Sequence, residues 1–180
     1  MARIDAVQRN ADPKTREVLN AVEKKMGKVP NMIASMAHSP AVVQAFLEFS
    51  KNIEGGVLPT SLRERIALAV GEAGQCNYCV SAHTFLAGRA GLNKSDIIDA
   101  RRGMASDEKA NAALAFARAI LEDRGHVNDE DVEEVRNAGY NDGEIVEIVA
   151  CVVLNIFTNY FNHVAEPEID FPLAPALATV

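Results

Sequence analysis

Tryptophan is absent from this 180-residue chain, and three tyrosines and seven phenylalanines bring the aromatic share to only 6%. Packing and association therefore fall to aliphatic side chains. Positive charge is also short: 18 Lys and Arg face 25 Asp and Glu, giving a net charge of −7 and an isoelectric point near 5.1. That is the wrong sign for a protein that works on phosphate backbones or on an anionic lipid surface, so nucleic acid and membrane partners are not expected. Proline (7) and glycine (11) are sparse beside 48% hydrophobic residues, which excludes disordered, collagenous and low-complexity chains. The N-terminal stretch has no apolar run followed by a small-residue cleavage site, and the cytoplasm is the expected location. The most apolar stretch, Ile145 to Phe161, is interrupted by Glu147 and Asn155 and is shorter than the about 20 residues that span a bilayer. It reads as a buried helix. Three cysteines, Cys76, Cys79 and Cys151, are too few for a secreted disulfide framework, and a close pair in a reducing compartment points to redox or metal chemistry.

No run of alternating β-branched residues bounded by hairpin turns occurs, so no sheet is expected. The punctuation is helical throughout. Asp12-Pro13 opens a first helix carrying Val18, Leu19, Val22 and Met26 up to Gly27; a short helix follows around Met32–Ala37, and Ser39-Pro40 opens a third that runs to Gly55. Thr60 is read as the cap of a helix from Ser61 to about Gly74, and a further helix covers Asn77 to Ala90. Ser95 or Asp96 opens a short helix, Ser106-Asp107 an alanine-rich one to Gly125, and Asn128 caps Asp129–Ala138. The Asp129-Glu130-Asp131 run suits the positive end of a helix dipole better than an ion site. A long helix from about Asp142 to Val164 ends at Glu166-Pro167, before a proline-containing tail to Val180. The expectation is one all-α domain, residues 1–180, of about eight helices, long enough to bury roughly 70% of its unfolded surface.

The informative stretch runs from Glu64 to His83. On a helix that opens at Cys76, the residues Cys76, Cys79 and His83 are spaced three and four apart and share one face. Cysteines three apart on a helical turn have Cα atoms roughly 5–6 Å apart, within disulfide range. A thiol in the first turn also meets the positive end of the helix dipole, which favours thiolate. If the helices on either side of Gly74 form an antiparallel hairpin, positions 64 and 83 lie equally far from the turn and Glu64 faces His83. The pattern is that of a carboxylate orienting an imidazole that activates one thiol, with a second thiol to resolve the oxidised product.

Glu64, eleven intervening residues, then Cys76-x-x-Cys79-x-x-x-His83 resembles the signature of the alkylhydroperoxidase D-like branch of the carboxymuconolactone decarboxylase family. The segment from Val29-Pro30-Asn31 to about Arg102 (residues 29–102) resembles the family core. The resemblance implies an all-helical fold, assembly into homotrimers or hexamers, and thiol-dependent reduction of hydroperoxides by a dithiol reductant without metal, flavin or haem. It implies that Cys79 is the peroxidatic thiol, Cys76 the resolving thiol of a redox-active disulfide, and His83 with Glu64 the proton relay. One departure stands between the cysteines, where some members carry histidine and this chain has Tyr78; a phenol of ordinary pKa about 10 is a poor base near neutrality.

Two other readings stand beside this one. Cys76, Cys79 and His83 with Glu64 or Cys151 make a zinc set, although a single Cys-x-x-Cys lacks the partner knuckle of a structural site, and the module would then be structural or redox-sensing. The sibling decarboxylase acts as a lyase and needs no cysteine pair. Cys151 reads as a core thiol and Glu72 as solvated. His38, His126 and His163 read as caps or interface residues, with Asn159, Asn162 and His163 the most suggestive because they end an otherwise apolar helix. The helix Ile145–Phe161 is apolar nearly all round, which points to an obligate homo-oligomer built on it.

Overall fold

The computed structural model describes residues 2–7 and 12–177. Residues 1, 8–11 and 178–180 lie outside the described residues, and with them part of the N-terminal stretch and the end of the tail. Nine helices and no strand are present among the described residues: α1 (Pro13–Met26), α2 (Asn31–Met36), α3 (Pro40–Glu54), α4 (Thr60–Ala73), α5 (Asn77–Arg89), α6 (Lys94–Arg101), α7 (Glu108–Glu122), α8 (Asp129–Asn137) and α9 (Asp142–Ala165). The all-α expectation holds, with one helix more than the about eight read from the sequence.

The helix starts follow local chemistry. Asp12 Oδ1 accepts from the N–H groups of Lys14 and Thr15, satisfying donors that the first turn of α1 leaves without intrahelical partners. Capping boxes close the starts of α6 (Asn93 and Asp96), α8 (Asn128 and Asp131) and α9 (Asn141 and Glu144). Asp131 is thus a capping residue, in line with the structural reading of the acidic run. Two caps differ from the sequence reading. Asn93, not Ser95 or Asp96, caps α6, and Thr60 lies inside α4 behind Pro59, where its Oγ1 accepts from Arg63 Nη2 at 3.0 Å.

The hub of the fold is α4, which packs against α5, α6, α7 and α9. Leu62, Ile66, Ala67, Leu68, Ala69, Val70 and Gly71 are all buried, so this helix is covered on every side. Its small residues permit that enclosure. A Cβ at Gly71 would sit 3.4 Å from Cys79 Cβ and from Val80 Cγ2, so glycine lets α5 lie close against α4. Ile66, Leu114, Ile148 and Val152 form the centre of the largest core cluster, where α4, α7 and α9 meet. A second cluster joins α1, α2 and α3 through Leu19, Val22, Ile33, Met36 and Val43. Each fully buried aliphatic side chain contributes about 1.5–3 kcal/mol relative to an exposed one.

The long helix α9 departs from the expectation of a buried helix. Ile145, Ile148, Cys151, Val152, Asn155, Thr158, Asn159 and Asn162 face inward, while Val146, Val149, Val153, Phe157, Tyr160 and Val164 form an exposed row along the outer face. Capping by Asn141 and a left-handed Glu166 extends it to 24 residues. By length and composition alone it is long and apolar enough to cross a membrane, unlike the shorter stretch read from the sequence; its inner face packs against α3, α4, α5 and α7.

Candidate active site

The candidate site begins at the junction of α4 and α5. Gly74 ends α4, Gln75 takes a left-handed backbone (φ 53°), and the chain re-enters helix at Asn77. The Cys76 N–H reaches Gly71 O at 3.0 Å and the Gln75 N–H reaches Glu72 O at 2.9 Å, a Schellman closure with glutamine where glycine is usual. A non-glycine residue held there costs about 1–2 kcal/mol, so the turn that presents the cysteines stores strain. Cys76 is the N-cap of α5 and not its first helical residue: its sulfur accepts from the Cys79 N–H at 3.2 Å. Cys76 and Cys79 are joined as a disulfide with Cα atoms 5.3 Å apart, inside the spacing expected from one helical turn. Both are buried.

The hairpin brings Glu64 and His83 together. His83 Nδ1 lies 2.8 Å from Glu64 Oε2, with both side chains only partly exposed. A carboxylate on Nδ1 fixes the ring's orientation, leaving Nε2 for proton exchange. Both residues and Cys79 line a cavity of about 240 Å³ whose other walls are largely apolar, including Met26, Met32, Phe46, Leu47, Leu86 and Leu154. Among the described residues no group of three or more His, Cys, Asp or Glu is arranged to hold a metal ion.

The opposite wall of the cavity comes from α9, through Cys151, Leu154, Asn155, Thr158 and Asn162. Cys151 is free and buried, in keeping with a core thiol; burial above all pushes its pKa up to about 11. It nevertheless borders the same cavity as Cys79. Asn162 reaches both sulfurs of the disulfide, with Nδ2 3.2 Å from Cys79 Sγ and 3.7 Å from Cys76 Sγ. His163 points elsewhere, its Nε2 2.7 Å from the Gly74 carbonyl at the end of α4. His38 contacts the Asp5 carbonyl with its Nε2 at 3.0 Å.

Tyr78 is committed to a structural contact. Its hydroxyl donates to Asp170 Oδ1 at 2.7 Å and accepts from the Met32 N–H at 3.2 Å, and burial, the largest cause, drives its pKa well above the ordinary phenol value. Asp170 also pairs with Lys28 Nζ at 2.9 Å, and that ammonium lies 4.2 Å from the centroid of the Phe171 ring. Asn31 Nδ2 holds the Glu168 carbonyl at 2.9 Å, and the Ala174 N–H donates to Ser81 Oγ at 3.2 Å. The segment after α9 is thereby strapped across α5. Ile169 and Phe171 cover the cluster of Cys76, Tyr78, Cys79 and Ala82, and Phe171 closes part of the cavity. Glu72, read as solvated, is 31% exposed and also paired: its Oε2 is 2.8 Å from Nε of the buried Arg101 on α6, whose Nη1 holds the Pro175 carbonyl of the strap.

Residues 40–123 match the model of the carboxymuconolactone decarboxylase family, a span that contains Glu64, Cys76, Cys79 and His83. Over that span the chain is similar to that family. Its fold is that of the alkylhydroperoxidase core: an uncharacterized peroxidase-related protein from Ralstonia eutropha JMP134 superposes with a TM-score of 0.84 at 24% identity, over 94% of this chain and 92% of that one. The debrominase Bmp8 in its apo form is similar at 29% identity and a TM-score of 0.79, covering 93% of this chain and 92% of its own. A Cys-to-Ala variant of the same debrominase, bound to 2,3,4-tribromopyrrole, matches at 28% identity, with a TM-score of 0.79 over 93% of this chain and 91% of that one. No curated protein sequence matches significantly. The family match ends before α9 and the strap, so the sulfur contact of Asn162 and the Tyr78–Asp170 bond were not legible in the motif. The polar interruption of an apolar helix at Asn155, Asn159 and Asn162 was the available signal.

Proposed function

We propose that this protein is a thiol-dependent peroxidase that reduces organic hydroperoxides through the Cys76–Cys79 pair. The observation that carries the reading is the meeting, at one apolar cavity, of Cys79, itself bonded to Cys76, and a Glu64–His83 pair. In the reduced protein the Cys79 thiolate attacks one peroxide oxygen; the O–O bond breaks, the alkoxide takes a proton from His83 and leaves as alcohol, and Cys79 becomes a sulfenic acid. Cys76 then attacks the Cys79 sulfur, water leaves, and the disulfide forms. A dithiol reductant restores both thiols and departs as its own disulfide. A stoichiometric pulse of alkyl hydroperoxide tests this: two thiols per chain should be lost within seconds and regained with dithiothreitol. Loss of none, with the substrate intact, overturns it, and leaves the decarboxylase-type lyase or a zinc-binding, redox-sensing role. One zinc per chain after metal-free purification, lost in Cys76→Ser, selects the zinc reading.

A second reading is favoured by the likeness to the debrominase. The same dithiol, meeting a bromoarene in an apolar cavity, would become the disulfide while the arene exchanges bromine for hydrogen and bromide and a proton are released. Bromide release equal to disulfide formed, on adding a bromopyrrole to the reduced protein, selects this chemistry over peroxide reduction. In either case we infer a homo-oligomer, trimer or hexamer, working in the cytoplasm and covering the exposed apolar row of α9. Light scattering giving a monomer mass at low micromolar concentration, with helicity unchanged, overturns that assembly.

A further inference from the structure

Four polar side chains interrupt the inner face of α9, and three of them donate to their own helix; the Oδ1 atoms of both Asn159 and Asn162 are buried without a partner, and of the two residues Asn162 borders the cavity. Asn155 Nδ2 donates to the Cys151 carbonyl at 2.8 Å, Thr158 Oγ1 to the Asn155 carbonyl at 3.0 Å, and Asn159 Nδ2 also to the Asn155 carbonyl. Asn162 alone turns away from the helix. Only 5% of it is exposed, its Nδ2 lies 3.2 Å from Cys79 Sγ, and its Oδ1 is buried with no partner while the side chain borders the cavity. A buried carbonyl oxygen left without a donor is costly, so the position favours a group that supplies one.

We propose that Asn162 is a further catalytic residue, whose carboxamide N–H donates to the Cys79 thiolate and whose free Oδ1 accepts the hydrogen of a hydroxyl held at that sulfur. The inference rests on the thiol-peroxidase reading for the identity of that hydroxyl. Cys79 as a thiolate carries a full charge in an apolar surround; the first-turn N–H of Cys79 goes to Cys76 Sγ, and the Asn162 amide is the neutral donor aimed at Cys79 Sγ from the opposite wall. As the thiolate takes the peroxide oxygen and the alkoxide leaves with the His83 proton, the product Cys79–SOH carries an O–H next to Oδ1. Holding that O–H orients the sulfenic sulfur for Cys76, whose attack forms the S–S bond and releases water. Glu64 and His83 manage the protons and Asn162 manages the sulfur.

The test reads the thiol directly. In a Cys76→Ser background, where Cys79 has no partner, the rate of its alkylation by iodoacetamide is followed across pH, with the modified peptide identified by mass spectrometry. Asn162→Ala should raise the midpoint by about one pH unit, the loss of a single hydrogen bond to a charged group, and Asn162→Asp should raise it further by placing a like charge beside the thiolate. Midpoints unchanged in both variants overturn the proposal. Should Asn162→Ala fail to fold, the Cys76→Ser protein labelled with ¹⁵N-asparagine replaces it: the Asn162 carboxamide resonance should titrate with the Cys79 midpoint, and a resonance that stays fixed overturns the proposal. Shifted midpoints with no loss of thiols to peroxide in the unsubstituted protein support the sulfur contact and overturn the peroxide chemistry alone.

Discussion

The two walls of the cavity are built on different principles. One, from α4 and α5, carries Glu64 paired with His83, and Cys79, whose sulfur is bonded to Cys76 behind it. The other, from α9, carries neutral amides and a single thiol whose pKa is pushed up to about 11. The first wall gains its chemistry from residues close in sequence, held by a helical hairpin with a strained turn. The second gains its place from long-range packing against α4. On the proposed function the two thiols differ by position: Cys79 lies in the first turn of α5 at the cavity that Glu64 and His83 also line, and Cys151 lies midway along an apolar helix. Cys79 and Cys151 border the same 240 Å³ of space and should behave as different functional groups.

Replacing the reactive member of the first wall should show the largest effect. Cys79→Ser is expected to lower thiol-dependent turnover by about 10³-fold or more. Peptide mapping after repeated oxidation of the native protein should find Cys76 linked to Cys79 and Cys151 unlinked; a Cys151–Cys79 crosslink would erase the contrast between the walls. Next come the residues that tune the thiol. Glu64→Gln or His83→Ala should slow peroxide reduction by about 10²-fold and raise the alkylation midpoint of Cys79 while circular dichroism stays native. Midpoints like those of the wild type would remove the relay from the mechanism.

The second wall predicts a pH effect on stability. An ordinary thiol ionises near 9, whereas Cys151 in the folded protein ionises near 11; a raised folded value means the native state holds the proton longer. Stability from this group is thus fully present below about pH 9 and is lost as pH rises through about 11, by roughly 2–3 kcal/mol at most. Urea titrations at pH 8 and pH 11 should show the native protein losing more stability over that interval than Cys151→Ala. Equal losses would mean that the thiol is not held neutral by its surroundings. The smallest effect concerns the strap. Asp170→Asn weakens the Lys28 pair, and Phe171→Ala removes part of the cavity wall. Reduction of the disulfide by a bulky phosphine should quicken a few-fold in both, relative to reduction by dithiothreitol; an unchanged ratio would show that the strap does not restrict access.

Legibility followed sequence distance. The hairpin pairing of Glu64 with His83 could be read because both positions count back to one turn, and the helix periodicity does the rest. The left-handed residue at that turn could not: glycine stands at position 74, yet Gln75 adopts the positive φ, because the closure is set by which carbonyls α4 leaves free. Tyr78 looked like a substitution within the relay, and its role came instead from Asp170, 92 residues away along the chain. Glu72 looked solvated because its partner, Arg101, lies on another helix.

Composition, periodicity and the Glu64 to His83 spacing by themselves determined that the chain is helical, acidic and armed with a thiol pair, since each is a property of neighbours within a few turns. The tertiary structure alone decided that α4 is the enclosed helix and α9 is half exposed, that Asn162 reaches the Cys79 sulfur, and that the strap lies over the cysteines. Local sequence fixes which face of a helix is apolar; which faces meet depends on how the small residues of α4 let its four neighbours approach, and no single segment encodes that.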